Sequence, residues 1–375
     1  MNFDRVTEYL DSLVSDKLTP GADCIITKDH EQIYRHFSGF GDIAGNIAIN
    51  GSEKYMIFSM TKMLTCVCAL QLLEQGKYRL DDPLSDYMPE FAEMKVKRKH
   101  CLPRKAENAI TIRYLFSMSA GLNYDLNESC VKNAANKTGS NTQTIVSSFS
   151  EKVLDFEPGT HFQYSLCHDV LGALIEIWSG MKFKDYLREN LAEPLGMKNT
   201  FFCRYHNENV ENLAQIYRVN SKRGDFDFEP KINPFIPSDK YDSGGAGLIS
   251  TTEDYSLFLE ALANGGMAGN GNRILKEETV ELMRTNQLTG DRCTDFDCMR
   301  RGYGYGLGVR THINPETSGS LSPVGEFGWD GAAGAFSMVD PVNRISLTYF
   351  QHAFGWNLKM QIELRNLVYE ALRDN

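Results

Sequence analysis

Hydrophobic positions recur at helical spacing at both ends of the chain. Near the N-terminus they are Phe3, Val6, Leu10, Leu13 and Val14, and over residues 357–373 they are Met360, Leu364, Leu367, Val368 and Ala371. This spacing predicts an amphipathic helix at each end. Between the two ends, residues 22–27 and 32–40 flank a polar turn at residues 29–31, which predicts a strand hairpin.

Strand patterns return in the last third of the chain. They cover residues 304–311, 324–329, 335–339 and 345–350. From about residue 81 to about residue 240 the pattern is helical instead, with long polar or proline-containing loops and little strand periodicity. Successive strands joined by short turns pair antiparallel.

This order of elements predicts an α+β fold, in which an antiparallel β-sheet is flanked by the N- and C-terminal helices and carries a helical second lobe. An α/β sandwich domain would comprise residues 1–80 and 241–375, and a mainly helical insertion domain would comprise residues 81–240. A cleft between two lobes is a common place for a substrate site.

A candidate nucleophile stands at the start of the most apolar helical segment. Ser-Met-Thr-Lys at residues 59–62 opens an apolar run over residues 63–73, which Gly76 closes. At this spacing Ser59 and Lys62 share one helix face, so the amine can take the hydroxyl proton. The N-terminus of the helix also offers free N–H groups and a positive potential to an oxyanion.

The same Ser-x-x-Lys spacing occurs at Ser129 with Lys132 and at Ser179 with Lys182. The first pair is predicted to lie in a polar surface loop, which gives a nucleophile no rigid support. The second falls where a helix ends, and the negative end of the helix dipole disfavours an oxyanion. Lys-Thr-Gly at residues 137–139 has no strand pattern around it and is interpreted as part of the same loop.

Two further segments could present site residues. Tyr164 follows a Pro-Gly turn and precedes an apolar helix, and a tyrosine beside a lysine ammonium can act as a general base or proton shuttle. Residues 327–335 place small residues beside Trp329, where either plain sheet packing or an oxyanion-binding wall would fit. On local pattern alone, core packing is the commoner role for a tyrosine.

The composition of the chain limits the classes of partner that it could bind. The net charge is −10 and no long basic run occurs, which argues against nucleic acid; the basic cluster at residues 95–100 is typical of a solvated face. We expect no signal peptide and no membrane-spanning segment. The nine cysteines are then interpreted as free thiols in a reducing cytoplasm. No metal-ligand spacing is found, so we expect neither metal nor cofactor.

Taken together, these segments resemble the class C β-lactamase-like serine hydrolases, a penicillin-recognising family that includes esterases and acyltransferases. Residues 59–62 are similar to its Ser-x-x-Lys motif, residues 164–166 (Tyr-Ser-Leu) to its Tyr-x-Asn motif and residues 329–331 (Trp-Asp-Gly) to its third motif. Short sequence segments between the motifs also match the family in order and spacing over nearly the whole chain. They lie at residues 80–84, 112–122, 158–160, 194–197 and 245–251.

The resemblance implies catalytic roles for Ser59, Lys62 and Tyr164. It implies an oxyanion site at the backbone N–H groups of Ser59 and Ala332. Leu166 and Trp329 stand where β-lactamases have an asparagine and a lysine, respectively. Both exchanges remove polar recognition of a β-lactam. A third motif that begins with tryptophan is similar to that of the esterase branch of the family. The substrate contacts expected here are Trp329, Gly331, Leu166 and Tyr124.

We therefore expect a serine acyl hydrolase that forms an acyl-enzyme on carboxylic esters or related small acyl compounds. A β-lactamase and a D-amino-acid peptidase or amidase are the enzymatic alternatives. The alternative outside catalysis is a penicillin-recognising binding module. Whether Lys62 or Tyr164 is the general base, and the oligomeric state, stay open at this point.

Overall fold

The computed structural model describes residues 1–373. Its α-helices are α1 (Asp4–Ser15), α2 (Thr61–Glu74), α3 (Ile112–Phe116), α4 (Ser129–Asn136), α5 (Thr142–Ser147), α6 (Cys167–Ser179), α7 (Phe183–Leu187), α8 (Glu193–Leu195), α9 (Thr252–Ala263), α10 (Glu277–Arg284), α11 (Asp291–Met299), α12 (Pro315–Ser318) and α13 (Leu358–Arg373). Its strands are β1 (Gly21–Lys28), β2 (Glu31–Asp42), β3 (Ile47–Ala48), β4 (Lys54–Met56), β5 (Lys95–Arg98), β6 (Cys101–Lys105), β7 (Val153–Leu154), β8 (Phe201–Phe202), β9 (Tyr217–Asn220), β10 (Asp225–Phe228), β11 (Leu248–Thr251), β12 (Tyr303–Tyr305), β13 (Arg310–His312), β14 (Phe327–Gly328), β15 (Phe336–Asp340), β16 (Ile345–Phe350) and β17 (Ala353–Phe354).

The largest part of the fold is an eight-stranded antiparallel sheet in the order β12-β13-β14-β15-β16-β1-β2-β3. At its centre, Ile25 of β1 lies opposite Thr348 of β16 and Arg35 of β2. The turn from β1 to β2 consists of Asp29 and His30, which both have positive φ, as a two-residue hairpin turn requires. The α+β class, the antiparallel sheet and the N-terminal hairpin are thus confirmed.

Helices cover both faces of the sheet. On one face, Val6 of α1 and Leu364 of α13 are buried against Ile26 of β1 and Leu347 of β16, which confirms the predicted terminal helices. Helix α9, which the hydrophobic pattern did not reveal, packs against β1, β15 and β16 through a second core that contains Phe258. Since both faces are covered, β1 is buried almost throughout instead of alternating.

The glycine-rich segment near the sheet edge differs from the prediction. The single strand expected over residues 304–311 is wrong, because β12 and β13 form a hairpin there. Gly308 has a φ of 89°, and a Cβ on Gly306 would lie 2.2 Å from the Met283 carbonyl oxygen, so the chain turns where only glycine fits. The strand expected over residues 324–329 is confined to β14.

Strands also occur within residues 81–240, where little strand character was expected. β5, β6 and β7 form one small sheet, β8 pairs with β11, and β9 pairs with β10 and β17. None of these strands exceeds five residues, which is too short for a period of two to stand out. The division into domains at residues 80 and 240 stays a prediction.

Helix α2 lies in the interior of the molecule and is part of its hydrophobic core. Eleven of its fourteen residues are buried, and it packs against α6. A helix buried on all sides is held rigidly, which suits it to position a reactive side chain. Within residues 1–373, no helix combines the length and the apolar character needed to cross a membrane.

Candidate active site

Ser59 lies in a single 3₁₀ turn, Phe58–Met60, that leads directly into α2. The residue before it, Phe58, has a φ of 44°, which is a costly conformation for a bulky side chain. Phe58 is fully buried, and edge contacts with Phe235 and tilted packing on Phe354 hold it in place. The strained turn fixes where Ser59 projects from the end of the helix.

The amine of Lys62 lies behind Ser59 and is anchored from three directions. Its Nζ donates to the Gly245 carbonyl oxygen at 2.7 Å, to the Ser59 Oγ at 3.3 Å and to the Tyr124 hydroxyl at 3.3 Å. Lys62 has no exposed surface. Its contact with Ser59 makes the Lys62 amine the nearest candidate partner for the Ser59 hydroxyl proton.

Tyr164 lies in the middle of an aromatic stack around this amine. The Lys62 Nζ lies 4.5 Å from the centre of the Tyr164 ring, and that ring stacks on Tyr124 and on Trp329. The Tyr164 hydroxyl accepts a hydrogen bond from the Trp329 Nε1 at 3.2 Å. The Lys62 Nζ therefore contacts the face of the Tyr164 ring, but it contacts the hydroxyl of Tyr124.

Tyr124 is partly buried and packs against the hydrophobic core. Burial, the neighbouring Tyr164 and the carboxylate of Asp169 all raise the pKa of Tyr124 well above its usual value. Its hydroxyl is therefore neutral at physiological pH and accepts the hydrogen bond from Lys62 while keeping its own proton available.

Asp169, a buried carboxylate that was not predicted from the sequence, supports the lysine indirectly. It accepts hydrogen bonds from the Ser243 hydroxyl at 2.7 Å and from the Gly245 N–H at 3.3 Å. Burial raises the pKa of Asp169, although Ser243 and the charge of Lys62 oppose that shift. A Cβ on Gly245 would lie 2.4 Å from the Asp169 Oδ2, so glycine is needed for its carbonyl to reach Lys62. The available signal was an acidic residue in the first turn of an otherwise apolar helix.

The wall opposite Ser59 comes from the segment after β14. The Gly331 N–H donates to the Ala335 carbonyl at 2.7 Å, and the Trp356 Nε1 donates to the Ala332 carbonyl at 3.0 Å. Among the described residues, the Ala332 N–H has no acceptor. The first N–H groups of a helix are likewise unpaired, which applies to Ser59. Two backbone donors are thus available beside one cavity.

A cavity of about 500 Å³ opens in front of Ser59. It is lined by Ser59, Tyr124, Tyr164, Phe235, Met299, Arg300, Trp329, Asp330, Gly331, Ala332 and Trp356. Six of these residues were predicted from the sequence, whereas Phe235, Met299, Arg300, Asp330 and Trp356 were not. Four of those five come from segments outside the three motifs, and nothing local distinguished them.

The position of Leu166 corrects one expected contact. It precedes α6 with 1% of its surface exposed, belongs to the hydrophobic core and is not part of the cavity wall. An apolar side chain at this position gains more free energy from the core than from the open site. The expectation that Leu166 contacts substrate is therefore wrong.

The cavity wall also carries an ion pair. The guanidinium of Arg300 pairs with the carboxylate of Asp330, whose side chain is 7% exposed. Arg300 is half-buried on the same wall as Trp329. Asp330 thus neutralises the cation that this part of the cavity presents.

The two rival Ser-x-x-Lys pairs lie away from the cavity. Ser129 begins α4, so the loop expected there is wrong; Val131 and Ala134 bury one face of a helix whose other residues are polar. Ser179 ends α6, with Gly180 in the left-handed conformation, as expected. Lys137 lies in a turn after α4 and in no strand.

The two histidines near Tyr164 in the sequence, His161 and His168, have structural roles. His161 pairs with Asp295 at 2.9 Å, on the surface. His168 is buried, and burial together with the charge of Lys62 lowers its pKa to about 3, which keeps it neutral. Within residues 1–373, no group of three His, Cys, Asp or Glu side chains could hold a metal ion.

Comparison with known proteins identifies relatives along the whole chain. A family model described as Beta-lactamase matches residues 6–370. Protein Rv1367c of Mycobacterium tuberculosis is 28% identical over 370 residues, which cover 94% of this chain and 90% of that protein. Esterase EstB of Burkholderia gladioli is 25% identical over 395 residues, which cover 97% of this chain and 94% of that protein.

Solved structures give the same result for the fold. EstCE1, described as a hydrolase with promiscuous acyltransferase activity, superimposes with a TM-score of 0.81 at 24% identity, and the match covers 98% of both chains.

Proposed function

Because the chain belongs to the Beta-lactamase family, whose model spans residues 6–370, it is a serine hydrolase, and we propose that it cleaves carboxylic esters through an acyl-enzyme. The observation that carries this proposal is the 3.3 Å contact between the Lys62 Nζ and the Ser59 Oγ at the floor of an aromatic cavity. Serine activated by an adjacent base is a standard acyl-transfer arrangement.

In the proposed reaction, Ser59 Oγ attacks the ester carbonyl carbon while its proton passes to the amine of Lys62. The negative charge that develops on the carbonyl oxygen is stabilised by the N–H groups of Ser59 and Ala332. Collapse of this tetrahedral intermediate breaks the bond to the alcohol, which leaves with a proton returned from Lys62 through a neighbouring tyrosine.

Deacylation repeats these steps with water as the nucleophile. Tyr164 lines the cavity and lies against the Lys62 ammonium, which supports a role in activating that water. Tyr124 holds the other side of the amine, so we assign it a positioning role. The acid product forms when the bond between Ser59 Oγ and the acyl carbon breaks.

The cavity wall supports neutral substrates over anionic ones. Trp329 presents an indole, and the charge of Arg300 is already paired with Asp330. A wall of this kind offers contact area to an acyl or aryl group but no unpaired cation to a carboxylate. The name of esterase EstB agrees with an ester substrate for this chain as well.

Covalent labelling tests this function against a non-catalytic binding role. Incubation with a fluorophosphonate is expected to add the mass of one phosphonyl group to the wild-type chain, as measured by intact-protein mass spectrometry. The Ser59→Ala variant is the control and is expected to stay unlabelled. A wild-type chain that gains no adduct would support the binding module instead.

Substrate preference gives a second test. Short-chain aryl esters are expected to show a kcat/KM well above that of cephalosporins. A charge-assisted hydrogen bond to a carboxylate contributes roughly 1.5–3 kcal/mol, so its absence should cost an anionic β-lactam ~10 to 150-fold and a neutral ester nothing. A wild-type enzyme that hydrolyses cephalosporins faster than every neutral ester tried would contradict the proposal and favour a β-lactamase.

Trp329→Lys isolates the contribution of charge at this wall. The variant is expected to raise cephalosporin turnover relative to ester turnover, because it restores a cation beside the substrate carboxylate. Trp329→Met is the matched control, since it removes the indole without adding charge. Equal substrate ratios in the two variants would show that Trp329 does not contact the acyl substrate.

A further inference from the structure

A second cavity of about 240 Å³ lies behind the active-site wall. Residues of α11, β12, β13, α12 and α13 line it, together with the segment between α11 and β12. Four of its lining residues are arginines: Arg300, Arg301, Arg310 and Arg365. Its described lining contains no Asp or Glu, and Arg300 and Met299 line the active-site cavity as well.

Two of the four arginines, Arg310 and Arg365, are buried and share the carboxylate of Glu326. Arg310 pairs with Glu326 at 2.8 Å, and the Arg365 Nε lies 3.8 Å from the other oxygen of the same carboxylate. All three side chains are at most 3% exposed. Burial alone would raise the pKa of Glu326, but the two arginines hold it below its usual value. This buried cluster therefore carries one positive charge in excess, which is costly without a counter-ion.

Buried donors without acceptors surround the same cavity. The Nε atoms of Arg310 and Arg365 and the Nε2 atom of Gln361 have no hydrogen-bond partner among the described residues. Buried polar groups in folded proteins are normally paired, so three unpaired donors on residues that line one cavity add to the cost of its excess charge. Water can accept hydrogen bonds, but it does not balance the excess charge.

The other two arginines of the cavity differ: an ion pair neutralises Arg300, but none among the described residues neutralises Arg301. Arg300 is paired with Asp330. Arg301 is exposed at the edge of the cavity and makes no ion pair or hydrogen bond with another described residue. Counting Arg301, the four arginines of the cavity form ion pairs with only two carboxylates, Glu326 and Asp330, among the described residues.

We propose that this second cavity binds a phosphate group, either as free phosphate or as part of a phosphorylated metabolite. A phosphate dianion matches the two uncompensated charges, and its oxygens are acceptors that can meet guanidinium groups from several directions. A single carboxylate would balance only half of the charge. The site shares Met299 and Arg300 with the wall of the ester-cleaving cavity, but it does not depend on the proposed esterase activity.

Titration calorimetry with inorganic phosphate tests the proposal, with ionic strength held constant by chloride. The wild-type chain is expected to bind one phosphate saturably. Arg301→Gln is expected to weaken binding about tenfold or more, because it removes a charge-assisted contact at an exposed position where folding is not at risk. Arg98→Gln, an exposed arginine on β5, is the matched control and should leave the affinity unchanged.

Arg365→Gln should weaken binding further, provided that circular dichroism shows the variant to be folded. A parallel titration with glycerol 3-phosphate distinguishes the sources: binding at least as tight as that of inorganic phosphate supports a phosphorylated metabolite, and no binding supports free phosphate. Absence of saturable phosphate binding by the wild-type chain would overturn the proposal. So would binding that Arg301→Gln leaves at wild-type strength.

Discussion

Replacement of Ser59 by alanine is expected to abolish aryl-ester hydrolysis, with a loss of several orders of magnitude in kcat/KM. Within the described part of the chain, Ser59 is the one serine on the cavity wall. It lies 3.3 Å from the Lys62 amine, and its N–H stands at the free end of α2. Removal of the hydroxyl leaves the cavity and the oxyanion donors in place but removes the nucleophile. Substrate binding should therefore change far less than turnover.

The chain supplies its own controls for this experiment. Ser129→Ala and Ser179→Ala alter serines with the same spacing to a lysine, but neither lies on the cavity wall. Both variants are expected to stay close to wild type in the hydrolysis of p-nitrophenyl esters. If either of them were the inactive variant, the assignment of the nucleophile would be wrong.

Replacement of Lys62 by methionine is expected to lower kcat by roughly 10² to 10⁴-fold, the usual contribution of a positioned general base. Methionine keeps the length and most of the volume of the buried side chain but cannot take a proton. It also leaves the Gly245 carbonyl oxygen without its 2.7 Å donor, so some loss of thermal stability should accompany the loss of rate.

Burst-phase kinetics separate these two effects. If Lys62 transfers the proton, the folded variant should show slower acylation at an almost unchanged KM, and Lys132→Met, an exposed lysine on α4, should behave as wild type. A Lys62→Met variant that folds and keeps wild-type kcat would rule out Lys62 as the base and leave the role to a tyrosine.

How far the sequence alone could predict the site depended on how local each feature was. Ser59 and Lys62 are three residues apart on one buried helix, so their proximity follows from helix geometry and the apolar run after them. Tyr164 and Trp329 lie more than a hundred residues away and gave no local signal that exceeded core packing. Only the resemblance to a family joined them to Ser59.

Local pattern was also insufficient where packing overrides it. Val131 and Ala134 turn a polar segment into α4 by burying one narrow face, and Gly308 turns an apparently continuous strand into a hairpin. In both cases a small number of contacts or one backbone angle decided the outcome. Helix α4 packs against α5 and the turn at Ser148–Glu151, so a short window along the chain does not contain its partners.

The sequence by itself determined the terminal helices, the antiparallel sheet and the helix that begins after Ser59, because their periodicity and spacing are local. The tertiary structure alone decided which carbonyl anchors Lys62, which tyrosine hydroxyl it contacts, and that Arg300 reaches the cavity wall already paired with Asp330. It also moved Leu166 into the core. These features depend on distances of a few ångströms between segments far apart in the chain, and only the packing of the whole fold sets such distances.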